Sequence, residues 1–271
     1  MIKGLLLYKE DDAKINKWFI NHLTEVSKNK GIQLSFSDFT QDFFTQNIEY
    51  FKQFDFCINR TRCGSVNTFL EKNNIRCYNN LKTVTVANDK WSTYLLCKEL
   101  GIPVTETVKL SDSVGTELDY PFIIKSRNGH GGSEVFWVNS EQELQQLSLT
   151  NKNGYIAQRV VSDLGIDVRV YVMGKKCIAG VKRTSSVDFR SNYSLGGKVE
   201  LFTPVKEQLE IIDKLQGSLA ADYVGFDFIL HNGKWLLNEI EDAVGARMLY
   251  SLCDYDVGEE FIKYIYEEIN N

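Results

Sequence analysis

The chain has 271 residues, with 31 basic and 36 acidic side chains and a formal net charge of −5. A hydrophobic content of 43% with 25% charged residues is ordinary for a globular protein, and it excludes disordered and collagen-like classes. No apolar run approaches the roughly 20 residues of a membrane helix, and no Lys/Arg cluster indicates nucleic acid as a partner.

The first 85 residues alternate short apolar runs with amphipathic stretches. Residues 5–7 are strand-like, residues 12–30 are typical of a helix, and residues 32–36 and 54–58 are further strand candidates. Strands that alternate with helices along the chain favour a parallel sheet.

The rest of the chain predicts helices separated by antiparallel strands. Asn88 is a plausible N-cap of a helix that stops at residues 101–103, and Ser140 with Glu143 forms a capping box. The remaining predicted strands are 121–125, 133–138, 155–161, 167–173, 176–182, 224–230 and 234–240, with helices at 204–221 and at the C-terminus.

Six cysteines and three histidines are scattered through the chain, without a Cys-x-x-Cys pair. A zinc site is therefore not expected. Scattered thiols without a secretion signal fit a reducing compartment, so we expect a cytoplasmic protein.

A glycine-rich segment, residues 128–132, joins two predicted strands directly after Lys125. Glycines let backbone N–H groups approach an anion, and the lysine adds positive charge for phosphate oxygens. The segment differs from a Walker A motif because a strand, not a helix, follows. A flexible hairpin loop is the alternative interpretation.

Three carboxylates, Asp227, Glu239 and Glu241, lie in the last predicted hairpin. Glu239 and Glu241 are two apart on a strand and share a face, which favours a cation between them, and Mg²⁺ prefers such oxygen ligands. A two-residue turn at Asn232-Gly233 would place Asp227 on the opposite face, so we predict a three-residue connection, residues 231–233. A solvated edge strand is the alternative.

Several basic residues fall outside these motifs. Arg190 could stabilise charge on a transferring phosphoryl group, with Asn192 reaching a metal or phosphate, although a surface loop is the alternative. Four further arginines are candidates for binding a substrate carboxylate or, alternatively, for surface salt bridges: Arg60, Arg62, Arg183 and Arg247.

In order, these segments resemble the ATP-grasp superfamily, and within it the RimK-like carboxylate–amine ligases. The matching segments, which cover residues 88–250, are 88–90, 121–125, 129–132, 158–161, 165–169, 188–192, 196–197, 225–228 and 239–241. The resemblance implies an α/β protein with the ATP-grasp fold. It implies an N-terminal parallel-sheet domain over residues 1–86, a small ATP-grasp subdomain with a glycine-rich flap over 87–157, and a C-terminal subdomain with a metal site over 158–271.

The resemblance also implies roles for individual residues. Lys125, Arg190 and Asn192 are the expected catalytic residues, and Asp167 is expected at the ribose hydroxyls. The resemblance implies an ATP-binding set made of two phosphate lysines, a glycine flap, a hinge beside the adenine, a ribose residue and a γ-phosphate residue. In that order these are Lys90 and Lys125; Gly129, Gly131 and Gly132; Gln158, Arg159, Val160 and Val161; Asp167; and Arg190. The expected metal ligands are Asp227, Glu239 and Glu241.

The implied activity is ATP-dependent and ADP-forming: a carboxylate is activated as an acyl phosphate and joined to an amine of an amino acid or peptide. ATP and two Mg²⁺ ions, or Mn²⁺ in their place, are the implied cofactors, with neither nucleic acid nor membrane as a partner. The alternative functions are a side-chain-modifying peptide ligase, a small-molecule kinase and a non-catalytic nucleotide-binding protein. A homo-oligomer is a further alternative to a monomer. The chain departs from the family at Glu241, where Asn is usual, at Val244 and at Arg159.

Overall fold

The computed structural model describes residues 1–45, 48–110, 118–131, 134–149, 151–185 and 198–271. Within them, the chain folds into one parallel and two antiparallel sheets. Among these residues no helix is long and apolar enough to cross a membrane.

The N-terminal sheet is parallel, as the alternating strand and helix patterns predict, and its strand order is β2–β1–β3–β4. Its strands are β1 (Ile2–Lys9), β2 (Ile32–Phe39), β3 (Phe56–Asn59) and β4 (Arg76–Tyr78). The helices between and after them are α1 (Glu10–Ile15), α2 (Lys17–Asn29), α3 (Ile48–Phe51), α4 (Gly64–Glu71) and α5 (Leu81–Ala87), with a 3₁₀ turn at Gln41–Thr45.

The second sheet has four antiparallel strands in the order β5–β8–β6–β7. Its strands are β5 (Thr107–Lys109), β6 (Phe122–Ser126), β7 (Val135–Val138) and β8 (Tyr155–Arg159), accompanied by α6 (Lys90–Glu99), α7 (Glu141–Gln146) and a 3₁₀ turn at Lys152–Gly154. The Ser140 side chain caps α7 by accepting from the Glu143 N–H, whereas the Glu143 carboxylate accepts from the Asn139 backbone instead of the Ser140 backbone.

The third sheet has five antiparallel strands in the order β11–β10–β9–β12–β13. Its elements are β9 (Ile166–Met173), β10 (Lys176–Thr184), β11 (Lys198–Phe202), α8 (Lys206–Leu219), β12 (Tyr223–His231), β13 (Lys234–Glu241), α9 (Arg247–Leu252) and α10 (Val257–Asn270).

Hydrophobic packing joins the first and third sheets. One core cluster combines Leu6 and Leu23 of the N-terminal part with Tyr171, Tyr223 and Phe261 of the C-terminal part. A second cluster packs α6 and α8 against the other face of the third sheet. Removing these apolar side chains from water is the main favourable contribution to folding, at roughly 25 cal/mol per Å² of apolar surface buried. The packing brings the chain after β13 beside α1.

The prediction that Asn88 caps α6 is wrong. Asp89 is the N-cap, and its side chain accepts from the Trp91 N–H at 3.0 Å. The Asn88 amide instead donates to the buried carboxylate of Asp242 at 2.9 Å, and Asn79 donates to the same carboxylate at 2.7 Å. Asn88 is therefore used to connect the start of α6 to the end of β13.

Candidate active site

A cleft of about 510 Å³ is lined by residues from all three sheets. The predicted site residues that line it are Arg60, Arg62, Lys90, Lys125, Gly129, Gly131, Gln158, Arg159, Val161, Asp167, Arg183, Glu239, Glu241 and Arg247. Gly132, Arg190 and Asn192 lie outside the described residues, so their predicted roles stay predictions. Asp227 is buried just beneath the cleft.

The prediction of a three-residue connection between β12 and β13 is wrong. His231 pairs with Lys234 across a two-residue turn, in which Asn232 and Gly233 have φ values of 50° and 75°. Asn-Gly favours this turn because both positions need positive φ. The carboxylates nevertheless share a face, because a β-bulge at Asn238 shifts the register.

The bulge restores the geometry that the short turn would have removed. Phe228 pairs with Leu237, but Asp227 pairs with Glu239, so Asn238 is an extra residue in β13. Directly opposed residues of an antiparallel pair point to the same side of the sheet. Asp227, Glu239 and Glu241 therefore converge, and they can each offer a carboxylate oxygen within 4.8 Å of the others.

Two arginines donate hydrogen bonds to the carboxylate cluster. Arg169 donates through Nε and Nη2 to the two oxygens of Asp227, at 2.7 Å each, and through Nη2 to Glu241 at 3.3 Å. Arg183 donates to Asp227 at 2.8 Å. Burial opposes ionisation of Asp227, but these guanidinium groups outweigh it and hold the pKa of Asp227 well below its usual range.

The two glutamates differ in their electrostatic environment. Burial raises the pKa of Glu241; the charge of Arg169 opposes this, while Glu239 and Asp227 reinforce it. Burial also acts on Glu239, but the nearby Lys90 and Lys125 outweigh it and lower the pKa of Glu239. Glu241 is thus the member of the cluster whose charge is least well compensated.

Room for Arg169 comes from a glycine on the neighbouring strand. A Cβ built on Gly225 would lie 2.9 Å from a methyl group of Val244 and 3.1 Å from Cδ of Arg169. A larger residue at position 225 would therefore displace the guanidinium from the carboxylates. Glycine at this position follows from the close packing of β9 against β12.

The two predicted phosphate lysines lie beside the carboxylate cluster. Lys90 donates to the carbonyl of Gly129 at 2.6 Å and forms an ion pair with Glu239 at 3.3 Å. Lys125 donates to the side chains of Gln158 at 2.6 Å and Asn238 at 3.0 Å. Burial lowers the pKa of Lys125 to about 8, so near pH 7 it carries its charge.

The donor set fits a hard divalent cation. Three carboxylates from two adjacent strands offer only oxygen atoms, which Mg²⁺ prefers, and the lysines opposite can hold phosphate oxygens that complete its coordination. Arg169 compensates part of the negative charge of Asp227 and Glu241.

Residues predicted to hold the nucleoside have protein partners in this structure. Both oxygens of Asp167 accept from Arg183, so its predicted contact with ribose remains a prediction. Gln158 contacts Lys125 through its side chain, and Arg159 turns outward to Glu106 at 2.9 Å. Val160 follows the end of β8.

The sequence interpretation missed several cleft residues. Arg169 lies two residues after Asp167 on one strand, so period-two alternation would have placed both side chains on one face. Asn238 gave no signal, because a bulge depends on both strands. Asp12 and His130 also line the cleft, and burial with nearby positive charge lowers the pKa of His130 to about 4.

Comparisons with known proteins agree with this architecture. A D-alanine–D-alanine ligase from Bacillus anthracis superposes with a TM-score of 0.78 at 14% identity, covering 99% of this chain and 98% of that chain. A RimK domain ATP-grasp protein from Sphaerobacter thermophilus gives a TM-score of 0.72 at 12% identity, covering 99% of this chain and 100% of the other. Both likenesses establish the fold.

Sequence comparison extends the likeness to the family. An uncharacterized Mycoplasma pneumoniae protein is 33% identical over 260 residues, covering 93% of this chain and 87% of its own length. A probable alpha-L-glutamate ligase of Mannheimia succiniciproducens is 27% identical over 220 residues, covering 77% and 74%. The RimK-like ATP-grasp domain matches residues 87–265. This chain therefore belongs to the RimK-like ATP-grasp family.

Proposed function

We propose that the protein is an ATP- and Mg²⁺-dependent ligase that joins a carboxylate to an amine and releases ADP and phosphate. The observation that carries this proposal is the pairing of two lysines, Lys90 and Lys125, with three converging carboxylates in one cleft. Such a site is built to hold a charged phosphoryl group between cations.

The proposed roles follow from the family resemblance and, for the described residues, from their positions in the cleft. Lys90 and Lys125 hold phosphate oxygens, the segment with Gly129, Gly131 and Gly132 covers them, and Gln158 with the following Arg159, Val160 and Val161 borders the base. Arg190 and Asn192 assist the phosphoryl group, and Asp167 orients Arg183 or binds ribose. Residues 1–86, 87–157 and 158–271 are the proposed domains.

The chemistry requires activation because a carboxylate is a poor acyl donor. Transfer of the γ-phosphoryl group of ATP gives an acyl phosphate, and attack by the amine then forms the amide and expels phosphate. Asp227, Glu239 and Glu241 would hold the Mg²⁺ ions, two in our proposal, which when bound neutralise phosphoryl charge. Lys125 and Lys90 orient the phosphates, and the glycine segment limits hydrolysis by excluding water.

The proposed substrates are an acid and an amine, each an amino acid or a peptide. The name alpha-L-glutamate ligase, carried by the Mannheimia relative, favours amino acids among the candidates. We propose a cytoplasmic site of action, where ATP is available.

The test is chemical trapping. The protein is incubated with ATP, Mg²⁺, hydroxylamine and a panel of free amino acids and dipeptides, and hydroxamate and nucleotide products are measured. We expect a hydroxamate together with ADP. AMP with pyrophosphate would contradict the acyl phosphate, and a stable phosphorylated product without phosphate release would indicate a kinase.

A matched pair of variants controls the experiment. Lys125→Ala removes a half-buried cleft lysine, whereas Lys206→Ala removes one whose side chain is 92% exposed on α8. We expect hydroxamate formation to fall only in the first variant.

A further inference from the structure

Four of the arginines that line the cleft are candidates for binding a substrate, and in three of these four at least one nitrogen of the forked edge, Nε with Nη2, donates to a protein acceptor. Arg183 donates through Nε and Nη2 to Asp167, so its forked edge is occupied. Arg60 is buried and donates through Nη2 to the carbonyls of Ala243 and Val244, at 3.2 and 2.8 Å. Both guanidinium groups therefore hold the protein together.

Arg247 differs because it is exposed at the rim of the cleft. Its Nη2 donates over longer distances, 3.3 Å to the carbonyl of Ile15 and 3.4 Å to Asn16. This arginine bridges the start of α9 to the end of α1, and one of the two nitrogens of its forked edge is already used.

Arg62 is the one of the four whose fork nitrogens, Nε and Nη2, both lack a hydrogen-bond acceptor among the described residues. Its Nη1 donates to Asp12 at 3.1 Å. Its Nε is buried and has no hydrogen-bond partner within the described part of the chain, where Nη2 also donates no hydrogen bond. A buried donor without a partner is costly, and a ligand in the cleft can satisfy it. Nε of Arg60 is also buried without a partner within the described residues, but its Nη2 is occupied, whereas both nitrogens of the Arg62 fork are unpaired there.

The position of Arg62 is unusual in its backbone as well. Its φ of 59° is in the left-handed region that residues with a Cβ rarely adopt, and such conformations cluster at ligand-binding sites. Its positive charge acts on both Glu241 and His130, and all three residues line the same cleft.

We propose that the Nε and Nη2 edge of Arg62 binds a second, non-reacting carboxylate of the substrate, and that Asp12 is a positioning residue that holds the guanidinium through Nη1. The substrate class is a dicarboxylic acid, with or without an amino group. This inference rests on the proposed function, which places the reacting carboxylate at the phosphate end of the cleft. A planar fork matches a carboxylate in a way that a lysine cannot.

The test measures binding directly, by calorimetry, in the presence of Mg²⁺ and a non-hydrolysable ATP analogue. Each dicarboxylate is compared with its monoamide: aspartate with asparagine, glutamate with glutamine, succinate with succinamate, and glutarate with glutaramate. We expect at least one dicarboxylate to bind wild type about tenfold or more tightly than its monoamide, because the amide leaves the fork unpaired.

Variants separate the fork from simple charge. Arg62→Lys keeps the charge and should reduce the discrimination to about threefold or less, and Arg62→Gln provides a neutral second variant. Asp12→Asn should weaken dicarboxylate binding severalfold, about three- to tenfold, while Asp11→Asn, one position earlier on α1 and 95% exposed, should not. Circular dichroism verifies folding of each variant.

The outcomes distinguish this inference from the proposed function. If no pair is discriminated, or if discrimination survives in Arg62→Lys, the assignment of Arg62 is overturned even where ATP-dependent phosphate release is observed. If wild type discriminates a dicarboxylate from its monoamide and Arg62→Lys does not, the assignment of Arg62 is supported. If, in addition, no pair of acid and amine leads to phosphate release, only the proposed ligase activity is contradicted.

Discussion

Replacing Glu241 with glutamine tests the least compensated charge in the carboxylate cluster. The substitution keeps the size of the side chain and its contact distance to Arg169, which is 3.3 Å in this structure, but it removes one negative charge. Because the pKa of Glu241 is raised, the folded protein disfavours its ionised form. The variant should therefore be at least as stable as wild type without metal.

The magnitude follows from the distances. At an effective dielectric constant of about 20, two like charges 4.8 Å apart, the largest separation in the cluster, repel by about 3.5 kcal/mol. Asp227 and Glu239 each repel Glu241 in this way, while Arg169 at 3.3 Å attracts it by about 5 kcal/mol. The excess repulsion is about 2 kcal/mol, which gives the order of magnitude of the expected gain in unfolding free energy.

The gain should also depend on pH with a defined sign. An acid whose pKa is raised by folding destabilises the protein only where it is ionised, so the advantage of Glu241→Gln should be largest near neutral pH. It should disappear as the pH falls below about 4, where glutamate is protonated in the unfolded chain as well.

The assays are urea unfolding without metal and ADP release as a function of Mg²⁺ concentration. If Glu241 is a ligand, Glu241→Gln should need roughly tenfold more Mg²⁺ for half-maximal rate, judged from the cost of outer-sphere changes. Glu210→Gln, at an exposed position on α8, is the control. Lower metal-free stability together with an unchanged Mg²⁺ requirement would refute the reasoning and make Glu241 a structural partner of Arg169.

Three further predictions follow. Lys125→Ala should reduce turnover about tenfold or more without unfolding the protein. The ATP affinity of wild type should fall above pH about 8, where Lys125 loses its proton, whereas the affinity of Lys125→Arg should not. Equal pH profiles of ATP affinity in the two proteins would contradict this. Arg169→Met removes the bidentate partner of buried Asp227 and leaves it only the contact with Arg183, so urea unfolding should show a loss of about 3–5 kcal/mol, and a loss below about 1 kcal/mol would contradict this. Asp242→Ala removes the acceptor of two buried asparagine amides and should cost about 2–4 kcal/mol in the same measurement; an unchanged midpoint would contradict that network.

Local patterns predicted much of the fold because they depend on nearby residues alone. The alternation of apolar runs and amphipathic helices predicted the parallel N-terminal sheet, which is confirmed. The ordered motifs over residues 88–250 predicted the ATP-grasp family, and the domain match over residues 87–265 confirms it. Glu239 and Glu241 were predicted to share a face because they lie two apart on one strand, and they do.

The amino-acid sequence by itself determined which side chains carry charge, where most strands and helices form, and that a hairpin closes near Asn232-Gly233, although the predicted length of its connection was wrong. Only the tertiary structure decided which charges meet. The bulge at Asn238 brings Asp227 onto the face of Glu239, and bulges form where two strands and their neighbours must fit together. Among the four arginines predicted to bind a substrate, the sequence could not distinguish Arg62, because an unpaired guanidinium edge depends on which acceptors the folded chain brings within reach.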